Sequence, residues 1–381
     1  MFWDMKRLEC LDGLRGLLAM YVLAGHLAPF AVLPHWLQMS VSHGGAAVDI
    51  FFILSGLVIT QSLDRVNGEA VPFLLARVAR IFPVFLPVFA LAVLIQPAPC
   101  GFQHMPWIGP DDAAHMICSD AWPNSWVAEL LAHLTMTNGL FPNGVLPLAW
   151  VSFLGPAWSL STEWQFYVVS LLLLGAGAGR IGASMSWLAW ELMVLAAAGV
   201  LWHWMAPEDW QFSRAFLANK AHFFALGVAS VAVVRQRRGA LAIYAATLVG
   251  CLGICALAGS GGKLLPPLVW TVCLAAQTRP DRIDLRPLAR VLASRTAGYF
   301  GAISYCVYVV NEPIHKLLAI ELARLADGNA LLFTVIWLPS AVIVPIVVSD
   351  WLHRNVEVPA LRWGRAAADA WSRGQARLVG E

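Results

Sequence analysis

Charged and titratable side chains lie inside the first long apolar segment of the chain, LDGLRGLLAMYVLAGHLAPF. Arg15 and His26 are eleven residues apart, close to three turns of a helix, and Asp12 precedes Arg15 by three residues. One helix face is therefore predicted to carry a carboxylate, a guanidinium and an imidazole. Because such groups are costly in hydrocarbon, this face is expected to contact protein or water and to serve a function.

The composition is that of a polytopic membrane protein. Of 381 residues, 59% are hydrophobic and only 13% are charged, and the mean hydropathy is +0.67, which argues against a soluble enzyme. We predict an all-α fold with about ten transmembrane helices. The apolar runs are 14–36, 46–64, 81–97, 158–175, 187–205, 214–234, 241–258, 264–278, 297–320 and 330–350.

The distribution of basic residues predicts the orientation. If the N-terminus is cytoplasmic, most of the 25 Lys and Arg residues fall on the inner side, including Lys6, Arg7 and Arg180. This asymmetry predicts an N-in, C-in topology. Those left for the outer side are Arg214, Lys220, Lys263, Lys316 and Arg324.

The same topology divides the chain into one membrane domain and a tail. The membrane domain is predicted over 1–353, with a large outer loop at about 97–157 that contains no Lys or Arg. Residues 354–381 are predicted to be a short cytoplasmic tail, and no soluble catalytic module is expected.

Seven cysteines are scattered without metal-ligand spacing, so no metal site is expected. Cys100 and Cys118 both fall in the predicted outer loop, where an oxidising compartment would permit a disulfide, although sequence alone leaves the pairing open. Nothing in the sequence indicates a nucleic-acid partner.

Six sequence blocks occur in an order that resembles one family. They are LDGLRGLLAMYVLAGH, VDIFFILSGLVIT, RVARIFPVF, WSLSTEWQFY, ISYCVYVVNEP and VEVP. The chain resembles the acyltransferase-3 family of integral membrane acyltransferases over nearly its whole length. The resemblance implies O-acylation, with the acyl group, most often acetyl, passing from cytoplasmic acyl-CoA to an extracytoplasmic or membrane-facing acceptor such as a surface polysaccharide. It implies acyl-CoA as co-substrate, no bound cofactor, and a bacterial inner membrane location.

The resemblance assigns roles to the first polar residues. His26 corresponds to the family's essential histidine and is expected to act as general base or transient acyl carrier. Arg77 and Arg80 match an R-x-x-R signature and are expected to bind the phosphates of coenzyme A. Arg15 is expected to reach the same donor with Asp12 orienting it, although these two could equally form a structural ion pair.

Glu163 and Tyr167 share a helix face and are candidates for the acceptor site. We predict that Glu163 takes part in catalysis, that Trp158 stacks on a sugar ring, and that Ser159 and Tyr167 support them from the outer side. The alternative is an interfacial aromatic belt with a satisfied buried carboxylate.

Other polar residues are predicted to support the site. Asp49 is expected to hydrogen-bond within the bundle. A polar stripe is formed by Ser304, Tyr305, Tyr308 and Asn311, and Asn311 stands where the family often has histidine. An asparagine cannot be a general base, but it can donate a hydrogen bond to an acyl carbonyl or an acceptor hydroxyl. Glu357 matches a final E-x-P element and suits either the donor site or a salt bridge.

The competing function is transport of a small organic anion, which would also use intramembrane polar residues and inner arginines. Against it, we find no pair of Gly- or Pro-broken helices in equivalent halves of the chain.

Overall fold

The computed structural model of the protein describes residues 8–175, 181–258 and 261–379. Within these ranges the chain is helical, with one isolated β-bridge between Pro142 and Phe212, so the all-α prediction is confirmed. Lys6, Arg7 and Arg180 lie outside the described residues. The α-helices are α1 Glu9–Leu27, α2 His35–Val41, α3 Gly44–Arg65, α4 Ala70–Ile95, α5 Ala114–Ile117, α6 Trp126–Leu134, α7 Ala157–Gly175, α8 Ile181–Met205, α9 Ala221–Val234, α10 Ala240–Leu257, α11 Leu265–Thr278, α12 Arg286–Leu292, α13 Arg295–Ala326, α14 Ala330–Leu352 and α15 Val358–Val379.

Five helical segments of the described chain are long and apolar enough to cross a membrane. They indicate an integral membrane protein. Every predicted apolar run overlaps a helix, but α9 and α11 are apolar helices shorter than a full span. The five segments are His35–Arg65, Ala70–Ile95, Trp187–Met205, Ala240–Leu257 and Ala330–Gln375.

Helices α1 and α13 pack at very close range because small residues face each other. A Cβ atom on Gly16 would collide with the backbone of Gly301, and one on Gly301 would collide with the backbone of Asp12. At this close contact, the Arg15 guanidinium donates two hydrogen bonds to the carbonyl oxygen of Gly301, from Nε at 3.1 Å and from Nη2 at 2.6 Å. The packing therefore brings the polar residues of α1 against those of α13.

The first apolar run does not form one helix as expected. Helix α1 ends at Leu27, and a 3₁₀ turn, Ala28–Phe30, leads to the short helix α2. Pro29 and Pro34 lack the N–H that would continue the helical ladder. His26 consequently lies in the last turn of α1, where the chain opens towards a cleft.

The run predicted to begin at residue 214 is also helical only in part. Helix α9 begins at Ala221, and the segment before it contains a 3₁₀ turn, Leu217–Asn219. Arg214 and Lys220 therefore precede the helix and are carried by irregular backbone.

The predicted outer loop contains the short helices α5 and α6 and is joined by a disulfide between Cys100 and Cys118. Both cysteines are buried. Next to the bridge, Gly101 has a φ of 78° and packs on Ala319, Ile320 and Ala323 of α13. The bridge thus fixes the loop on the end of α13, and the pairing that the sequence left open is made.

The segment predicted as a tail continues the helical bundle. A π-helical turn, His353–Glu357, connects α14 to α15, and α15 packs along α4 with Gly364 against Ala79. Further along, the Ser372 hydroxyl donates to Glu69 at 3.3 Å. Glu357 is thereby inserted beside the arginines of α4.

Candidate functional site

Two cavities meet in the middle of the bundle. The larger, here the histidine cleft, has a volume of about 1540 Å³ and is lined by residues that include His26, Trp150, Trp158, Arg214 and Glu312. The smaller, here the arginine cavity, has a volume of about 120 Å³. Its polar lining is Arg15, Ser55, Arg77, Arg80, Ser159, Glu163, Tyr167, Ser304, Tyr305 and Tyr308.

His26 is oriented by Asn311 in the histidine cleft. Its Nδ1 lies 2.5 Å from Asn311 Oδ1, while the Asn311 amide nitrogen donates to the carbonyl oxygens of Val307 at 3.0 Å and Tyr308 at 2.7 Å. Because the amide nitrogen faces carbonyls, Oδ1 must accept from His26, which places the proton on Nδ1. Nε2 is then the basic nitrogen of the imidazole.

Glu312 completes the surroundings of His26. One carboxylate oxygen lies 3.8 Å from His26 Nδ1, and the side chain is 15% exposed. The other oxygen accepts from the Gly155 N–H at 2.8 Å. The 3.8 Å separation is too long for a hydrogen bond but short enough for a strong charge interaction if the imidazole is protonated.

Sequence analysis missed Glu312. The sequence signal for Glu312 is a carboxylate inside the apolar segment ISYCVYVVNEP. Such a group is as costly in a membrane-spanning segment as the Arg15 guanidinium and indicates a functional or structural role.

Arg80 is a partly buried arginine on the border of the arginine cavity. It forms an ion pair with Glu357, and its guanidinium lies 5.1 Å from the centre of the Tyr305 ring. Glu357 is 1% exposed and also binds His353 at 2.8 Å and the Cys306 thiol at 3.2 Å. Of the two uses predicted for Glu357, the structure forms the salt bridge and places it directly behind the arginine cavity.

Arg77 and Arg15 border the same cavity. Arg77 donates to the Ser62 hydroxyl at 3.0 Å and stacks over the Tyr167 ring at 5.8 Å. Arg15 lies 3.9 Å from Asp12, so the predicted pair is a weak contact beside the stronger bonds to Gly301. The three predicted donor arginines are brought together.

Glu163 belongs to the arginine cavity. It accepts hydrogen bonds from Tyr167 at 2.7 Å and Ser55 at 3.3 Å. Trp158, five residues earlier on α7, lines the histidine cleft; five residues of helix turn the side chain by roughly 140°. The structure therefore separates two residues that the sequence analysis had grouped in one acceptor site.

Tyr308 and Val48 line both cavities and divide them. The Tyr308 hydroxyl lies 2.8 Å from the Ser159 hydroxyl, which fixes the ring across the boundary. The other members of the predicted polar stripe have backbone partners, with Ser304 donating to Gly301 at 2.9 Å and Tyr305 donating to Ile81 at 2.7 Å. We call the pair Tyr308 and Val48 the septum.

Asp49 lies behind the histidine cleft in a buried ion pair with Lys220 at 2.6 Å. The Lys220 ammonium is 5.8 Å from the centre of the Trp158 ring. Asp49 borders neither cavity and supports the site by holding Lys220 beneath Trp158.

Comparison of the whole sequence decides the family. Residues 8–354 match the family described as "Acyltransferase domain". The chain belongs to this family. The resemblance found in the sequence blocks is confirmed, and acyl transfer is the class of reaction that the family supports for this enzyme.

Three similar proteins are known by name. Acyltransferase MdmB of Streptomyces mycarofaciens is 25% identical over 93% of this acyltransferase and 92% of its own length. An O-acetyl transferase of Shigella phage Sf6 is 27% identical over 44% of this chain, and the match spans 46% of the phage protein. Protein 2 in picA locus of Rhizobium radiobacter is 29% identical over 51% of this chain and 93% of its own length. No solved structure matches the chain.

Proposed function

We propose that this protein is a membrane O-acyltransferase that moves an acyl group, chiefly acetyl, from cytoplasmic acyl-CoA to a hydroxyl of an extracytoplasmic or membrane-associated glycan or glycan-like acceptor. The proposal includes about ten spans, an N-in, C-in topology and a bacterial inner membrane location. The observation that carries it is His26, which lines a wide cleft that shares two lining residues, the septum, with a cavity bordered by three arginines.

In this proposal the donor enters from the cytoplasm. Arg15, Arg77 and Arg80 present planar guanidinium groups suited to the phosphates of coenzyme A. The arginine cavity, at about 120 Å³, is narrow for an acylated pantetheine arm. Donor binding therefore has to widen the space among α1, α3, α4 and α13 and displace the septum.

The acceptor approaches from the histidine cleft. Its hydroxyl gives a proton to His26 Nε2 as the oxygen attacks the thioester carbonyl. Asn311 holds the Nδ1–H, and the Glu312 carboxylate offsets the charge of the imidazolium that forms. The tetrahedral intermediate collapses with cleavage of the carbon–sulfur bond, and His26 returns the proton to the departing thiolate.

A covalent variant uses the same residues. His26 Nε2 attacks the thioester carbonyl, the carbon–sulfur bond breaks, and coenzyme A leaves as the thiolate, so that an acyl-imidazolium with its Nδ1–H remains. The acceptor hydroxyl then attacks the acyl carbonyl, the bond to Nε2 breaks, and the hydroxyl proton is released to water as the neutral imidazole is restored. Exchange of label between free coenzyme A and acetyl-CoA in the absence of acceptor separates the schemes, because only the covalent one releases coenzyme A before the acceptor reacts.

Glu163 takes a donor-side role in this scheme. Its hydrogen bonds to Tyr167 and Ser55 place its carboxylate in the arginine cavity. There it balances the arginine charges and keeps Tyr167 under Arg77. We therefore assign Glu163 to the donor half of the reaction, and Trp158 to the acceptor half.

The test is transfer from labelled acetyl-CoA in inside-out membrane vesicles, followed into the lipid and polysaccharide fractions. His26→Ala and Arg77→Ala should abolish transfer. The matched controls are His104→Ala, which removes an imidazole that borders neither cavity, and Arg324→Ala, which removes an arginine paired with Glu321. Absence of label with the wild-type protein, even with longer acyl-CoA donors, would favour transport of a small organic anion instead.

A further inference from the structure

Arg214 is stacked on the aromatic wall of the histidine cleft. Its guanidinium carbon lies 5.1 Å from the centre of the Trp150 ring and 5.9 Å from that of Trp158. Both indoles are within cation–π distance of the guanidinium, and a guanidinium held over aromatic rings can still donate from its N–H groups. Arg214 is exposed to the cleft that also contains His26.

Arg214 differs from three of the other cations predicted on the same side. Lys220 is paired with Asp49, Lys316 donates to the carbonyl oxygens of Gln96 and Ser119 at 2.8 and 2.7 Å, and Arg324 is paired with Glu321. Within the described part of the chain, Arg214 has no hydrogen bond or ion pair. Its donors are therefore available to a ligand.

The carboxylates that line the cleft do not neutralise Arg214. Glu312 is held by the Gly155 N–H next to His26, and Asp112 accepts from the Gly109 N–H at 2.6 Å. Glu129 also lines the cleft, but it is not within ion-pair distance of Arg214. A free, stacked guanidinium is suited to a planar carboxylate or to a phosphate, which it can bind through two parallel hydrogen bonds.

We propose that Arg214, Trp150 and Trp158 form an anion-binding subsite and that the acceptor is an acidic glycan or glycoconjugate. A sugar ring packs against Trp150, which is partly exposed, its carboxylate or phosphate binds Arg214, and a neighbouring hydroxyl is directed towards His26. The identification of the bound glycan as the acyl acceptor rests on the proposed function. The anion site itself can be tested without any transfer reaction. Arg214 is a specificity residue and takes no part in the bond changes.

The binding test uses three small probes and purified protein in detergent. The probes are methyl β-D-glucuronide, α-D-glucose 1-phosphate and the neutral methyl β-D-glucoside, and binding is measured by saturation-transfer difference NMR. At least one anionic probe should bind about tenfold to a hundredfold more tightly than the glucoside, the range expected for a charge-assisted hydrogen-bonded pair. Which anion binds shows whether the group recognised is a carboxylate or a phosphate.

Two arginine variants make the result specific. Arg214→Gln should remove the preference for the anionic probes, and Arg324→Gln should leave it unchanged. Arg214→Lys should weaken it, because an ammonium lacks the flat stacking surface. Equal binding of the three probes, no binding of either anion, or an unchanged preference in Arg214→Gln would each overturn the proposal.

The product provides an independent measurement. Label transferred to the native acceptor in vesicles should be retained by an anion-exchange resin after mild detergent extraction. The Arg214→Gln variant should produce less of this labelled product. The increase in melting temperature caused by acetyl-CoA should be the same in the variant as in the wild-type protein. A labelled product that passes through the resin would overturn the acidic acceptor and leave acyl transfer intact. Anion binding without any transfer would instead overturn the proposed function and leave the anion site intact.

Discussion

Replacing Asn311 by alanine tests the orientation of His26 most directly. Asn311 is completely buried, and its Oδ1 is the hydrogen-bond partner of His26 Nδ1. The variant leaves the Nδ1–H without this acceptor and lets the ring rotate or change tautomer. An unsatisfied buried donor costs about 1–3 kcal/mol. If this cost falls on the transition state, kcat decreases by roughly 5-fold to 150-fold.

The assay is transfer of labelled acetyl from acetyl-CoA with purified protein or vesicles. The KM for acetyl-CoA should change little, because in the proposed scheme the arginines bind the donor and Asn311 forms its hydrogen bonds with His26 and the backbone. Asn311→Asp keeps an acceptor oxygen at the same position and should retain more activity than the alanine variant. The matched control is Asn355→Ala, which removes an exposed asparagine that borders neither cavity.

If the kcat of the Asn311→Ala variant equals that of the wild-type protein, Asn311 does not fix the tautomer of His26. A large loss in both variants, accompanied by early elution or a lower melting temperature, would indicate a packing role for Asn311 instead. Size-exclusion chromatography and thermal unfolding on the same preparations separate these cases.

Three further predictions concern the septum, the loop and the pH dependence. Tyr308→Phe removes the hydrogen bond to Ser159, worth about 0.5–1.5 kcal/mol, and should raise acetyl-CoA hydrolysis without acceptor, measured as release of free coenzyme. Replacing Cys100 and Cys118 by serine opens a bridge of sequence separation 18 and should lower unfolding stability by about 3 kcal/mol, seen as a lower melting temperature that reductant no longer affects. His133 lies outside the spanning helices, and burial lowers its pKa to about 4. Because an unfolded histidine takes up a proton near pH 6.5, the folding stability should fall as the pH drops from about 6.5 towards 4. The His133→Phe variant should flatten the dependence of melting temperature on pH in that window.

The sequence predicted the helices well because apolar runs report burial in lipid or protein. It misplaced ends where backbone chemistry interrupts an apolar run. Pro29 and Pro34 end α1 early, although the side chains around them remain apolar. The residues of the arginine cavity were predictable for a related reason, since a charged group in an apolar segment is rarely accidental.

The boundary between the two cavities could not be predicted. Trp158 and Glu163 are close in sequence and both lie on α7, but the septum separates them. Its position depends on how α3, α7 and α13 pack, which periodicity does not encode. Glu312 was predictable in type, whereas its 3.8 Å approach to His26 depends on the close packing of α1 against α13.

The septum has a bioenergetic consequence. In a membrane that maintains a proton gradient, a continuous hydrated path through the bundle would dissipate stored energy with every opening. Val48 and Tyr308 line both cavities in the described structure. In the proposed reaction, the acyl group passes between them only while the donor occupies that space. The bound pantetheine arm would then fill the passage that it opens. Proton leakage would stay blocked during each turnover.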